Sequence, residues 1–564
     1  MKPSLLSAAA LFAVAACSAP RVVTQAPPPE RPPSVLPVPN APAPAPAAEP
    51  TTVPKAVVDT PPSNWQLLDE ANDRLPGISV LRAEQQLLAD KQPKRTVLVA
   101  VIDGGVDTAQ VDLLPHLWHN PKEVPGNGKD DDHNGYVDDT WGWNFIGGAD
   151  GQDINHETLE LTRLYSRCHN IAPLSVAGPA LSDSACAQIT SKFESERAKD
   201  TATLNNIDQA GQYLDRAISI LKGVMTDSLS EQSVATFAPR TPDQQQARAI
   251  YLQLTREHVT PDVIADAKKE YSSRVNFGYD TTYNPRAIVG DNLADLSQKD
   301  YGNRDVMGPD ALHGSHVSGI IGAVPDPKAG IQGIAQSVRI MMIRTVPDGD
   351  ERDKDVANAI RYAVDNGAQV INMSFGKPYS PQKADVDAAV KYADAHGVLM
   401  VHAAGNDGHD NDTGGNFPTA YYLDGGHAQN WIEVGASSWK GGDTLATSFS
   451  NFGKQRVDVF APGEAILSTV PGNKVQREDG TSMASPVVTG LAALILSYYP
   501  NLTGSDVKRI IMASATSYAS QRVAKPGTDP GAPLVPFGSL SVTGGIVNAY
   551  AALQMAAKES AAKP

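Results

Sequence analysis

Five short runs in this chain are apolar almost without interruption: "TVLVAVI" (96–102), "VRIMMIRTV" (338–346), "QVINMS" (369–374), "VLMVHAA" (398–404) and "WIEVGA" (431–436). Between them, "DVANAIRYAVDNG" (355–367) and "KADVDAAVKYADAHG" (383–397) repeat apolar residues at spacings of three and four and close on glycine. That is the pattern of an amphipathic helix with its stop signal. A strand apolar at nearly every position has no face for water, so both faces of its sheet must be covered, and helices alternating with strands provide the cover. The pattern predicts an α/β fold with three layers, α/β/α, around a mostly parallel central sheet. In that architecture, sites form at the carboxyl ends of the strands.

Two stretches break the rhythm. From residue 18 to 62 the chain is dominated by proline and alanine, as in "APAPAPAAEP" (41–50), too poor in large apolar side chains to fold and inclined to extended polyproline conformations. At ~3.1 Å per residue such a tether reaches on the order of 130 Å. From 151 to 299 there are helical patterns such as "LNNIDQAGQYLDRAISILKGV" (204–224) but no comparable strand runs, which predicts a mainly helical insertion between 63–150 and 300–557, with 558–564 as a tail. The insertion reads equally as a lid, a docking module or an embellishment, and its histidines, His156, His169 and His258, are too scattered to mark chemistry.

The formal net charge of −16 with no basic block excludes a nucleic-acid partner and an anionic membrane surface as a binding face. At the amino terminus, Lys2 precedes an apolar stretch, 5–16, that is too short to span a bilayer and ends in small residues before Cys17. "VAAC" (14–17) resembles a bacterial lipobox, and that resemblance implies a lipid on Cys17, removal of 1–17, and anchoring in the envelope, in the outer membrane on its periplasmic or surface face. A plain secretory signal cut nearby is the alternative, and both export the chain. In an oxidising compartment the remaining cysteines, Cys168 and Cys186, are expected to pair, adding roughly 3 kcal/mol by loop closure, against a second reading as free buried thiols.

Three segments place a reactive side chain where a strand meets a helix. Asp103 ends the run "VLVAVID", His313 opens the small-residue run "LHGSHVSGIIGAV" (312–324), and Ser482 stands at the start of "TSMASPVVTGLAALILSYYP" (481–500). Singly, each is ambiguous: an aspartate before glycine is usually a turn, a serine before a helix is usually a cap, and His313 with His316 reads also as a weak metal pair. Together they are coherent chemistry. An alcohol is a poor nucleophile unless a histidine takes its proton, and that histidine needs a carboxylate to fix its tautomer and stabilise the imidazolium. The order Asp, His, Ser is one of the known arrangements.

The blocks "VIDGGVDT", "HGSHVSG" and "GTSMASP" resemble the signatures of the subtilisin-like serine peptidases, and "VINMSFG" (370–376) and "AAGNDG" (403–408) resemble the family's substrate-pairing strand and oxyanion segment. The resemblance covers roughly 64–150 and 300–557. It implies a serine endopeptidase acting on peptides or proteins: Asp103 orients His313, His313 acts as base and then acid, and Ser482 attacks the scissile carbonyl. Asn406 and the Ser482 backbone N–H hold the oxyanion, and Ser374, Phe375 and Gly376 pair with an extended peptide. Ala403, Ala404 and Gly405 line one wall of the primary specificity pocket, whose small residues leave it open to bulky apolar side chains. The family's usual serine or threonine after the aspartate is Gly104 here, Ser315 and Ser318 are milder departures, and Trp65–Lys94 is too short for an inhibitory prodomain and reads as an extension of the catalytic domain.

No catalytic cofactor is implied. A structural calcium ion is expected in "NGKDDDHNGYVDD" (127–139), where Asp130, Asp132 and Asn134 alternate ahead of Gly135, and Tyr136, Asp138 and Asp139 follow. The spacing begins like an EF-hand but has Trp141 in place of the twelfth-position glutamate, and a solvated acidic turn is the alternative. The rival overall reading is a catalytically silent surface scaffold that binds through the insertion. A further rival is a metalloenzyme built on His313 and His316.

Overall fold

The computed structural model describes residues 60–172, 174, 181–257 and 259–563. Cys17, the expected signal, most of the expected tether and His258 lie outside them. The strands are β1 (Val97–Asp103), β2 (Gly142–Asn144), β3 (Val338–Arg344), β4 (Val370–Met373), β5 (Leu399–Ala403), β6 (Trp431–Ser437), β7 (Val459–Pro462), β8 (Ile466–Val470), β9 (Lys474–Glu478), β10 (Thr516–Ser517), β11 (Arg522–Val523), β12 (Val535–Pro536) and β13 (Gly545–Ile546). Nine of them form one sheet in the order β10-β13-β7-β6-β5-β4-β1-β3-β2, parallel throughout except where β10 meets β13. β8 and β9 form a separate antiparallel hairpin, and β11 pairs with β12.

The helices of eight or more residues, with one shorter helix of the insertion, are α1 (Glu160–Cys168), α2 (Asp183–Lys222), α3 (Glu231–Thr236), α4 (Pro242–Arg256), α5 (Pro261–Ser273), α6 (Leu312–Gly322), α7 (Asp353–Asp365), α8 (Lys383–Ala395), α9 (Thr481–Tyr498), α10 (Gly504–Ala513) and α11 (Ala549–Ala562). α11 carries the chain in helical form through most of the expected tail. β1 shows why the layers form: Val97, Val99 and Val101 join one apolar cluster with residues of α6 and α9, while Ala100 and Ile102 join another with α7 and α8. Its continuous apolar run serves both faces at once. α9 is long and apolar enough to cross a membrane by length and composition alone, yet 89% of it is buried inside the protein, which makes it the core helix of the fold.

Trp65, Leu67, Ile78 and Val80 are fully buried in the α6/α9 cluster, and Trp65 donates from its indole N–H to the Glu464 carbonyl at 3.0 Å. The segment ahead of β1 is therefore part of the main unit. Among the described residues, Asn205–Ala267 forms a compact unit of its own, narrower than the expected 151–299 insertion. It is built on Ala217, Leu221, Val234, Ala247 and Leu252. The flanking parts of the insertion belong to the main unit, and among the described residues no strand is present in them.

One flank is joined to the sheet by buried ions. Lys377, just past β4, donates to Glu160 of α1 at 2.9 Å and pairs with Asp353 of α7 at 2.8 Å. Arg163 pairs with Glu160 at 2.6 Å, and Arg352 with Glu157 at 2.8 Å. Cys168 and Cys186 form a disulfide between α1 and α2, with their Cα atoms 5.4 Å apart.

Candidate active site

Asp103 ends β1 at the carboxyl edge of the sheet and is 1% exposed. Its Oδ1 accepts from the Gly104 N–H at 2.7 Å, and His313 Nδ1 lies 2.8 and 3.0 Å from the two carboxylate oxygens. The glycines of both motifs permit this approach. A Cβ on Gly314 would lie 2.1 Å from the Gly105 carbonyl, and a Cβ on Gly105, whose φ is +150°, would lie 2.1 Å from the Met307 carbonyl. The start of α6 is thereby packed onto the Asp103 loop backbone to backbone. Burial is the largest single effect and would lower the pKa of His313, but the Asp103 charge and hydrogen bond together with the charges of Glu478 and Asp310 outweigh it, and the net shift is upward. With Nδ1–H donated to the carboxylate, Nε2 is left as the basic nitrogen.

Ser482 occupies the first turn of α9. Its Oγ donates to the Ser374 carbonyl at 3.1 Å, so the bond to His313 is not made in this state. Resting sites often have such loose geometry. The Asn406 Oδ1 accepts from the Thr481 N–H at 2.8 Å and from the Thr481 hydroxyl at 2.9 Å, which turns the amide so that Nδ2 faces outward. A Cβ placed on Gly480 would lie 3.5 Å from both Asn406 Nδ2 and Ser482 N. Two donors thus converge beside the Ser482 side chain, at the amino terminus of a helix, an arrangement suited to holding an anionic oxygen.

Ser374, Phe375 and Gly376 continue past the end of β4. Ser374 Oγ donates to the Ser482 carbonyl at 2.9 Å and accepts from Asn372 Nδ2 at 3.0 Å. Asn372 Oδ1 in turn accepts from Ser485 and Thr489 of α9 at 3.0 and 2.8 Å. Phe375 is 9% exposed, edge-on to His402. Among the described residues neither the N–H nor the carbonyl of Gly376 is engaged, which leaves backbone groups for an added strand. Across from them, Ala404 binds the Val434 carbonyl through its N–H at 3.0 Å and accepts from Asn411 and Asn451, both at 2.9 Å. The Gly405 N–H donates to Thr481 Oγ1 at 3.1 Å. Thr481 and Asn372 are positioning residues that the sequence analysis did not single out.

His316 does not join His313. It is fully buried, its Nε2 lies 3.0 Å from the carbonyls of Ile466 and Gln476, and burial pushes its pKa down to about 4. It ties α6 to the β8–β9 hairpin, and the two-histidine metal reading has no geometric basis.

In the acidic loop, carboxylate oxygens of Glu123, Asp130 and Asp132 lie within 4.8 Å of one another. Glu123 is 7% exposed, and its Oε2 is buried without a partner. The other expected ligands are engaged elsewhere. Asp138 pairs with Arg304 at 2.8 Å, Asp139 accepts from Tyr362, Asn120 and Asn134 at 2.6, 2.7 and 2.9 Å, and Asn134 Oδ1 accepts from the Tyr136 N–H at 2.8 Å. The Tyr136 ring is buried against Trp143 and Tyr362.

A parallel sheet with an aspartate–histidine pair and a helix-borne serine at its carboxyl edge defines a class, and the model of the subtilase family matches residues 94–530; the chain belongs to that family. Among its relatives, a thermophilic serine proteinase of Bacillus sp. (strain AK1) is 42% identical over 204 residues, covering 36% of this chain and 46% of that protein. Subtilisin DY of Bacillus licheniformis is 36% identical over 207 residues, covering 36% of this chain and 70% of that protein. This chain spans less than half the length of the first relative. A solved structure from a subtilase cytotoxin SubAB assembly aligns with a TM-score of 0.37 at 25% identity, over 44% of this chain and 78% of that one.

Proposed function

We propose that this chain is an exported serine endopeptidase that hydrolyses peptide bonds in peptides or proteins through an acyl-enzyme. The observation that carries the reading is the joint placement of the Asp103–His313 pair, Ser482, and the two donors Asn406 Nδ2 and Ser482 N. An extended substrate adds to Ser374–Gly376 as a strand. Ser482 Oγ turns from the Ser374 carbonyl, gives its proton to His313 Nε2 and attacks the scissile carbon. The oxygen that becomes negative is held by Asn406 and the Ser482 N–H, and removing one such donor costs roughly 10²–10³-fold in kcat. His313 then protonates the leaving amine, and a water repeats the sequence in reverse to release the acid. Because the base must be neutral, kcat/KM rises with pH through a histidine pKa above its ordinary value.

Fluorophosphonate labelling tests the reading: the folded protein labels and Ser482→Ala does not. An unlabelled wild type, or equal labelling of the variant, overturns it and leaves the silent scaffold.

Calcium is the cation the acidic loop suits, since its donors are all oxygen, and Glu123, Asp130 and Asp132 would hold it. Its contribution there is to neutralise three crowded carboxylates and stiffen the loop. The apolar stretch ending at Cys17 supports an outer-membrane lipid anchor. Cys17→Ser is expected to move the protein from the membrane to the soluble envelope fraction, and retention on the membrane refutes the anchor.

A further inference from the structure

Gly376, whose N–H and carbonyl are both left open among the described residues, is followed directly by a lysine that is only 2% exposed. The Lys377 ammonium uses all three of its donors: on Glu160 Oε2 at 2.9 Å, on the Glu351 carbonyl at 2.7 Å and on Asp353 at 2.8 Å. Its backbone is fixed as well, exchanging two hydrogen bonds with Phe417 at 2.9 and 3.0 Å. Glu160 is itself held. Arg163, one turn further along α1, donates to the same carboxylate oxygen at 2.6 Å and to the Asp350 and Glu351 carbonyls at 3.1 and 3.3 Å, and the Glu160 N–H donates to Asp350 at 2.7 Å. Asp353 accepts on its other oxygen from the Gln382 N–H at 2.7 Å, just ahead of α8. Through one side chain, the residue next to Gly376 is thus tied to α1, to the start of α7 and to the approach to α8. Burial opposes both charges of the pair, but Glu160 and Asp353 hold the Lys377 pKa above its ordinary value, and Arg163 and Lys377 hold that of Glu160 below. The pair stays ionised wherever a histidine base can work.

We propose that Lys377 is a positioning residue for the substrate strand and that α1, the first helix of the insertion, is its brace: the Lys377–Glu160 pair holds the Gly376 backbone in place for a bound peptide to add to. This rests on the endopeptidase reading above, and it gives part of 151–299 a task that is neither lid, docking module nor embellishment. A chain segment with two unmade backbone hydrogen bonds has little of its own to keep it still, and the ordering falls on the substrate unless a neighbour has already supplied it. Lys377 supplies it, because moving the ammonium would leave buried carboxylates uncompensated. The benefit depends on substrate length. Ser374 touches the nucleophile through its carbonyl, and Gly376 stands two residues further on, so at about 3.3 Å per residue a peptide has to extend two residues back from the scissile bond to meet it.

The test compares two substrates with the same residue before the scissile bond and the same leaving group, one carrying that residue alone and one extended by three more, on protein whose active fraction is counted by fluorophosphonate labelling. The ratio of kcat/KM for the long over the short substrate does not depend on how much of a variant folds. Lys377→Met keeps the apolar stem and removes the charge. Glu160→Gln removes the charge on α1 alone, while Asp353 and the Glu351 carbonyl still hold the ammonium. Lys377→Met is expected to lower the ratio by roughly tenfold, the worth of the backbone bonds at Gly376, and Glu160→Gln to lower it in the same direction by less. Variants that lose Tm but keep the wild-type ratio make the network a matter of stability and overturn the proposal. Should Lys377→Met fail to fold, an unchanged ratio in Glu160→Gln overturns the part given to α1. A wild type that labels but gains nothing from the longer substrate also overturns the assignment, leaving the peptidase reading intact. Failure to label removes both.

Discussion

Glu123 brings a buried carboxylate with one unpartnered oxygen to the half-buried Asp130 and Asp132, an all-oxygen set that a cation would complete. Calcium at a hundredfold excess over its Kd would add about 2.7 kcal/mol and raise Tm by a few degrees. In Glu123→Gln the calcium-dependent rise should vanish while Tm without calcium stays equal or increases, because the Asp131 and Asp132 N–H groups keep their acceptor. A full calcium response in the variant, by calorimetry with and without chelator, would remove Glu123 from the ligand set. The alternation of Asp130, Asp132 and Asn134 was readable along the chain because their side chains meet through local turn geometry. Glu123 was not, since its approach depends on how residues 120–131 fold back. Asp103, His313, Ser482 and Asn406 were legible through their motifs, but the parts played by Thr481 and Asn372 were not: their bonds to Asn406 and to α9 exist only once distant strands and the helix meet.

Among the elements, β4 and α9 are joined by a single buried amide. Asn372 links Ser485 and Thr489 on the helix to Ser374, and Ser374 holds the carbonyl of Ser482. Asn372→Leu keeps the volume but takes the acceptor from the Thr489 hydroxyl, leaves Ser485 only a long bond to the Val401 carbonyl and removes the donor to Ser374, for which about 1–3 kcal/mol is expected. If the link positions the nucleophile, kcat per labelled site should fall more than KM rises. A lowered Tm with unchanged kcat would assign the amide to stability alone. The strands β1, β3, β4, β5 and β6 could be read from their sequences because each is apolar on both faces. β2 could not: three residues carry no period, and it pairs with β3 across Gly142, whose Cβ would lie 1.7 Å from the Met342 carbonyl. The β8–β9 hairpin escaped too, because β9 reads "KVQRE", mostly polar and without a buried face.

Over the whole molecule, stability is tied to pH by the charges between α1, α7 and the end of β4. Burial pushes the pKa of Glu351 up to about 8, and its Oε1 has no partner. The folded state therefore keeps a proton that the unfolded chain releases above about 4.5, so this group removes stability steadily as pH rises from about 4.5 to 8. Glu157 and Glu160 act in the opposite sense. Burial would raise their pKa values, but Arg352 and Arg163 at the first, and Arg163 and Lys377 at the second, hold them below the usual range, so the stability they contribute is lost as pH falls beneath about 4.5. Glu351→Gln should match wild type in Tm near pH 5 and exceed it increasingly up to pH 8. A difference that does not grow with pH would mean Glu351 ionises normally in the folded protein. The same α1 ends at the Cys168–Cys186 bond, which encloses a loop with a sequence separation of 18. Autolysis anywhere inside that loop would leave the two fragments covalently attached, so a nicked molecule would run as one band on a gel without reductant and as two once a thiol is added.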